Sequence, residues 1–173
     1  VPAVQLTNAA RPTAAEDYTF EEGAIDTARL LKQFADGGTI ILNQLEREVP
    51  QLQEFCRALE RALSTRMQAN VYLTPAQAQG FKPHYDNHDV FVLQVHGSKQ
   101  WIIYDTPIEL PLRGQAFDAA VTKPGAPTME FELRAGDVLY LPRGVMHDAR
   151  TTGTDSLHIT AGVLATPWTE WVL

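Results

Sequence analysis

The chain has 173 residues, 45% of them hydrophobic, and a formal net charge of -7. That is the size of one domain with an ordinary core, and the acidic balance argues against a direct nucleic-acid partner. Cys56 is the only cysteine, which excludes an internal disulfide and fits a reducing, cytoplasmic compartment; no apolar run reaches membrane-spanning length.

Residues 1–20 read as an irregular N-terminal arm, with Pro2, Pro12 and few clustered apolar residues. No signal peptide is visible, but the chain begins at Val1 rather than Met, which leaves room for a removed leader or a further domain. Residues 21–173 read as a single domain. Asp26 is a plausible N-cap for a helix in the following TARLLKQFADGG, with Leu30, Leu31 and Phe34 as its apolar stripe and Gly37 or Gly38 as its stop. Thr39–Leu42 reads as a short buried strand. Pro50 suits the first turn of a second helix, whose stripe is Leu52, Phe55, Cys56, Leu59, Ala62 and Leu63. Cys56 on that stripe reads as a small core residue rather than a reactive thiol.

From Met67 the period changes to two. Met67, Ala69, Val71 and Leu73 alternate with Gln68, Asn70 and Tyr72, which predicts a strand. A turn-rich loop follows over Thr74–Gly80. Further strands are expected near 83–86, 90–96 and 99–105, with Gly97-Ser98 as a hairpin between the last two. Residues 106–128 carry Pro107, Pro111, Gly114, Pro124, Gly125 and Pro127 and form a long excursion, the usual place for function. Strands resume at Met129–Leu133, Val138–Leu141, His147–Thr152 and Ser156–Val163. The tail ATPWTEWVL either begins a helix or covers the barrel. Two helices followed by about eight short strands predict a mainly β barrel or jelly roll.

His84-Tyr85-Asp86 is the first chemical signal. On an extended chain His84 and Asp86 point to the same side, offering an imidazole and a carboxylate to a divalent metal. His147 is the best third ligand. Two His and one carboxylate leave coordination positions open, the arrangement suited to non-haem Fe(II).

The second signal is Gly136-Asp137-Val138-Leu139-Tyr140-Leu141-Pro142-Arg143-Gly144-Val145-Met146-His147. It matches G-x5-P-x-G-x2-H, the second cupin motif, at every defined position. With His84-x-Asp86-x-x-Asp89-Val90-Phe91, Leu93-Gln94, Gly97-x-Lys99-x-Trp101, Asn70-x-Tyr72-x-Thr74-Pro75 and Ser156-Leu157-His158, the chain resembles the JmjC branch of the cupin superfamily. It is most similar to the ribosomal-oxygenase group, over roughly residues 40–170. The resemblance implies a double-stranded β-helix with the N-terminal helices packed outside. It implies Fe(II) held by His84, Asp86 and His147, and 2-oxoglutarate as co-substrate with its distal carboxylate on Lys99. It places Asn70 beside the co-substrate; strand phase adds Tyr72 as lining the substrate or co-substrate pocket, and Thr160 on the last expected strand as a hydroxyl donor to the co-substrate. The activity implied is hydroxylation of a protein or peptide side chain, a ribosomal protein being one candidate partner, with succinate and CO2 as products.

The residues also permit plainer readings. Without the resemblance Lys99 is an exposed hairpin residue, whereas inside a barrel an ammonium needs an anion. His158 reads as a structural, hydrogen-bonded histidine, and Trp101 as core packing. His88 reads as part of a connection, His96 as exposed, and Asp137 as a turn residue. The ribosomal oxygenases continue into dimerisation and winged-helix domains, whereas this chain ends at Leu173. It is therefore either a fragment or a minimal member, with a homodimer left open. Demethylation is the less expected chemistry, since JmjC demethylases typically carry Glu where Asp86 stands. The alternatives are a tailoring hydroxylase of a peptide natural product or small molecule, a different cupin reaction, and a non-catalytic metal-binding cupin module.

Overall fold

A computed structural model describes residues 3–164. In chain order its elements are β1 (Val4–Thr7), α1 (Thr27–Ala35), β2 (Thr39–Leu42), α2 (Pro50–Leu63), β3 (Arg66–Thr74), β4 (Asp89–His96), β5 (Ser98–Tyr104), β6 (Pro127–Arg134), β7 (Val138–Leu141), β8 (His147–Arg150) and β9 (Ser156–Leu164). The strands build two sheets, ordered β1-β2-β3-β9-β4-β7 and β6-β5-β8, and all their pairings are antiparallel. This is the jelly-roll, double-stranded β-helix architecture, with both helices outside the barrel.

The helices form where the sequence punctuates them. Asp26 caps α1 by accepting the Arg29 N–H at 3.1 Å. Its end is a Schellman turn: Gly38 N–H donates to the Gln33 carbonyl and Gly37 N–H to that of Phe34, with Gly37 at φ 93°. α2 starts with Pro50 in its first turn. Its apolar stripe lies on the outer face of the large sheet, where Cys56 packs with Met67, Ala69 and Ala161. Burial, then the neighbouring Glu46 and Glu60, push the Cys56 thiol up to about 11, so it stays protonated and unreactive as a core residue.

That packing decides which way β3 faces. With Met67, Ala69 and Val71 buried, the alternate residues Gln68, Asn70 and Tyr72 turn to the other side of the strand. Between the two sheets, Val90, Val92, Trp101, Leu133 and Leu141 form the barrel's own apolar cluster. Each such fully buried side chain contributes on the order of 2 kcal/mol. The remaining interior is left for polar groups.

Three expectations change. Residues 4–7, read as part of an irregular arm, form the edge strand β1, which pairs with β2 from Val4↔Leu42 to Thr7↔Thr39. Residues 83–86 form no ladder; they contribute one isolated bridge, His84↔His147. Gly97-Ser98 is not a hairpin turn. β4 pairs with β7 and β9, and β5 pairs with β6 and β8, so Gly97 carries the chain from one sheet to the other. Alternating apolar residues on both sides of a Gly look the same in either arrangement. The expectations for ATPWTEWVL lie outside the described residues.

Gly97 has φ 62°, and a Cβ there would collide with the Asp155 carbonyl oxygen. Gly97→Ala therefore meets both a conformational and a steric penalty at the sheet crossing. The expected loss is about 3 kcal/mol or more in urea unfolding; a loss below about 1 kcal/mol would show that the crossing can relax.

Candidate active site

The bridge between His84 and His147 is the geometric centre of the site. His84 N–H donates to the His147 carbonyl at 3.0 Å, and His147 N–H returns to that of His84 at 2.8 Å. Two residues on, Gly144 N–H donates to the Asp86 carbonyl at 2.9 Å. The Pro142-x-Gly144 turn thus fastens Asp86 as well as aiming His147; Gly144 sits at φ 88°. Asp89 adds a second tie by accepting the Arg143 N–H at 3.1 Å and the Tyr140 hydroxyl at 3.3 Å. No strand is needed at 83–86, because these backbone bonds hold the segment in place.

The side chains converge. One ligand atom from each of His84, Asp86 and His147 lies within 4.8 Å of the others. His147 Nε2 stands 3.9 Å from Asp86 Oδ2. Each histidine spends its Nδ1 on a backbone carbonyl at 2.9 Å, His84 on Lys82 and His147 on Val145. That fixes Nδ1 as the protonated nitrogen and leaves Nε2 as the free lone pair. Burial, and secondly the neighbouring His84, hold His147 below the usual histidine range, which keeps it neutral as a metal ligand must be. A cluster of two imidazoles and one carboxylate fits a divalent transition metal with open positions.

A cavity of about 220 Å³ opens from the triad into the barrel. Tyr72, His158 and Thr160 line it from the large sheet, and Lys99 and Trp101 from the small one. Lys99 is only 4% exposed. Its ammonium donates to Thr74 Oγ1 at 2.9 Å, and Thr39 Oγ1 donates to the same oxygen at 3.0 Å. Burial alone pushes Lys99 down to about 7; among the described residues it has no ion-pair partner. A buried cation held by one hydroxyl is a site waiting for an anion. The cavity thus joins the His-Asp-His cluster and the buried ammonium of Lys99. Burial, and secondly Asp86, raise the Tyr72 phenol, so it remains a neutral donor on the wall between them.

Asn70 is placed differently from these residues. It stands one layer behind the cavity wall: its Oδ1 accepts the Gln44 N–H at 2.9 Å and the Gln68 side-chain amide at 3.1 Å, and its side chain also hydrogen-bonds Tyr72, which lines the cavity. Asp137 accepts the Arg134 N–H at 2.8 Å within its turn, and His96 is exposed. His88 stays outside the metal cluster, its ring over Gly162. Trp101 does two things at once, packing in the barrel cluster and lining the cavity. Thr74 and Thr39 were not singled out from sequence as anion-site residues. Thr74 is in phase with Tyr72 on β3 and so was detectable; Thr39 depends on a strand order that the sequence does not display.

A family model for the JmjC domain matches residues 42–171, which is most of the chain. The chain belongs to the JmjC domain family. Among curated JmjC relatives, the bifunctional lysine-specific demethylase and histidyl-hydroxylase NO66 of Drosophila sechellia is 39% identical over 133 residues, covering 75% of this chain and 20% of that protein. Ribosomal oxygenase 2 of Bos taurus is 35% identical over 157 residues, covering 88% of this chain and 34% of that protein. The chain therefore spans a fifth to a third of the length of these relatives. In structure, Escherichia coli ribosomal oxygenase YcfD aligns with a TM-score of 0.62 at 19% identity, covering 78% of this chain and 34% of that one. A further YcfD structure, with cobalt and 2-oxoglutarate, aligns at 0.52, with 19% identity and coverage of 78% and 34%. These two share the JmjC barrel fold with this chain.

Proposed function

We propose that this JmjC domain is an Fe(II)- and 2-oxoglutarate-dependent oxygenase that hydroxylates a side chain of a protein or peptide. The observation that carries the reading is the pairing, in one cavity, of a His-Asp-His cluster with a buried lysine that has no carboxylate partner among the described residues. The relatives support it in name: one is a demethylase and histidyl-hydroxylase, others are ribosomal oxygenases. We read hydroxylation as the activity here and a ribosomal protein as the first partner class to try.

His84, Asp86 and His147 would hold the metal. When bound, Fe(II) supplies oxidation of a substrate C–H by O2, coupled to conversion of 2-oxoglutarate to succinate and CO2. The protein's share is positional. The carbonyls of Lys82 and Val145 lock both imidazoles with Nε2 inward. Lys99 neutralises the distal carboxylate of the co-substrate and sets how far it reaches toward the triad. Tyr72 and Trp101 form walls that keep water from the reacting end.

The excursion between β5 and β6 packs against the segment that carries His84 and Asp86. The Tyr85 hydroxyl donates to the Gln115 carbonyl at 3.3 Å, Asn87 donates to that of Arg113 at 2.7 Å, and the Phe117 ring lies 6.4 Å from that of His84. We assign peptide selection to this segment.

The test is anaerobic. Fe(II) and then 2-oxoglutarate are added, and the visible metal-to-ligand charge-transfer band of a chelated keto acid is sought. The band is expected with the wild-type protein and not with His84→Ala. Metal binding without a band would discard the 2-oxoglutarate reading.

A further inference from the structure

His158 sits on β9 with its backbone in register between Tyr72 of β3 and Gln94 of β4. Its ring stacks on that of Tyr72, with centroids 4.7 Å apart and planes 2° from parallel. Trp101 meets it edge-on at 6.2 Å. The residue is 5% exposed, and what exposure it has is to the cavity that holds Lys99.

The sequence suggested a structural histidine satisfied by hydrogen bonds. The structure gives it none. Among the described residues neither ring nitrogen has a hydrogen-bond partner, and Nδ1 is fully enclosed. That leaves Nε2 as the nitrogen that meets the cavity. A fold that orients an imidazole by stacking, buries it and leaves it unsatisfied has retained a cost that packing alone does not repay. An apolar ring would stack on Tyr72 as well.

We propose that His158 is a second binding group for the distal carboxylate of the co-substrate, donating an N–H from the large sheet while Lys99 donates from the small one. The proposal rests on the 2-oxoglutarate reading above and adds a residue to it. Strand register supports the placement. Lys99 is bonded to Thr74, which pairs with Ser156, two residues along β9 from His158. The two groups therefore serve the same end of the cavity, and their proximity is felt: burial, and secondly Lys99, hold His158 well below the usual histidine range. A neutral imidazole beside a lysine divides the work. Lysine supplies the charge, and histidine supplies a second, directional donor that distinguishes a planar carboxylate from a single-point anion.

The experiment compares two keto acids on the anaerobic Fe(II)-loaded protein by titration calorimetry. One is 2-oxoglutarate; the other is 2-oxovalerate, which replaces the distal carboxylate with a methyl group. His158→Phe is expected to weaken 2-oxoglutarate binding by about tenfold or more and to leave 2-oxovalerate within about twofold. His158→Gln, which keeps an N–H donor, is expected to recover most of the loss, and melting curves establish that both variants fold. Unchanged 2-oxoglutarate affinity in His158→Phe would overturn the proposal. So would equal weakening for both keto acids, which is what a packing role predicts. If wild-type protein fails to bind 2-oxoglutarate, the parent reading falls, and the assignment of His158 falls with it.

Discussion

Asp86→Ala is expected to lose Fe(II) binding by at least about 100-fold and to abolish turnover. Removing a hydrogen-bond partner from behind a metal ligand already costs 10–100-fold in typical sites, and removing the ligand itself costs more. Asp86 is the only carboxylate in the cluster and thus its only compensating charge. The backbone contact from Gly144 is made to the Asp86 carbonyl and survives the substitution, so the fold should be retained. Metal affinity, measured by competition with a chelator, checks the prediction, and full retention of iron would remove Asp86 from the site.

Lys99 gives the second large effect, with opposite signs for ligand and fold. Lys99→Met is expected to weaken 2-oxoglutarate binding on the order of 100-fold, the scale of truncating one partner of a buried charge pair. Metal binding should be left nearly intact. The same substitution should stabilise the ligand-free protein. The folded-state value of Lys99 is depressed from 10.5 to about 7, because burial penalises the ammonium. Between those values the unfolded chain binds more protons than the folded one, so the Lys99 contribution makes stability rise with pH across that window. At and below pH 7 the burden is fully present, roughly 5 kcal/mol by the same shift. The wild-type deficit relative to Lys99→Met should be greatest near pH 7 and should shrink toward pH 10. A constant difference across that range would mean that Lys99 is not desolvated. Saturating 2-oxoglutarate should reverse the order of stability, since only the wild type has a cation for it.

What could be read from the sequence and what could not divide along physical lines. The β3 alternation from Met67 to Tyr72 reports one covered face, and it named the inner wall before any fold was known. The Asp26 cap, the Gly37-Gly38 stop and the Pro50 start are local chemistry, and they placed both ends of α1 and the start of α2 to within a residue or two. That His84, Asp86 and His147 come together could be read because the two motifs fix their spacing and their side of the chain. Gly97 was misjudged because a hairpin and a crossing between sheets have the same local pattern; only the partner strands differ. Asn70 shows the limit of phase. It stands on the expected side of β3 and reaches Tyr72 on the cavity wall, while its Oδ1 is taken by Gln44 and Gln68, so phase gives the side of the strand and not the partners. His158 was misread because hydrogen bonding to a distant partner is invisible in a linear chain, as is the lack of one.

The position of β9 has a consequence for how the molecule comes into being. The last described strand lies in the middle of the large sheet, paired to β3 across Arg66–Thr74 on one side and to β4 across Asp89–His96 on the other. During synthesis β3 and β4 leave the ribosome long before the strand that joins them. Until residues 156–164 emerge, both carry bare backbone edges, and the wall that His158 and Thr160 supply is missing. Folding of the barrel is therefore completed late and through non-local pairing, the regime in which closure is slow and unpaired edges invite association with other chains. The nascent domain depends on β9 as a keystone, and a chain cut short before Ser156 is expected to aggregate rather than to fold into a smaller barrel.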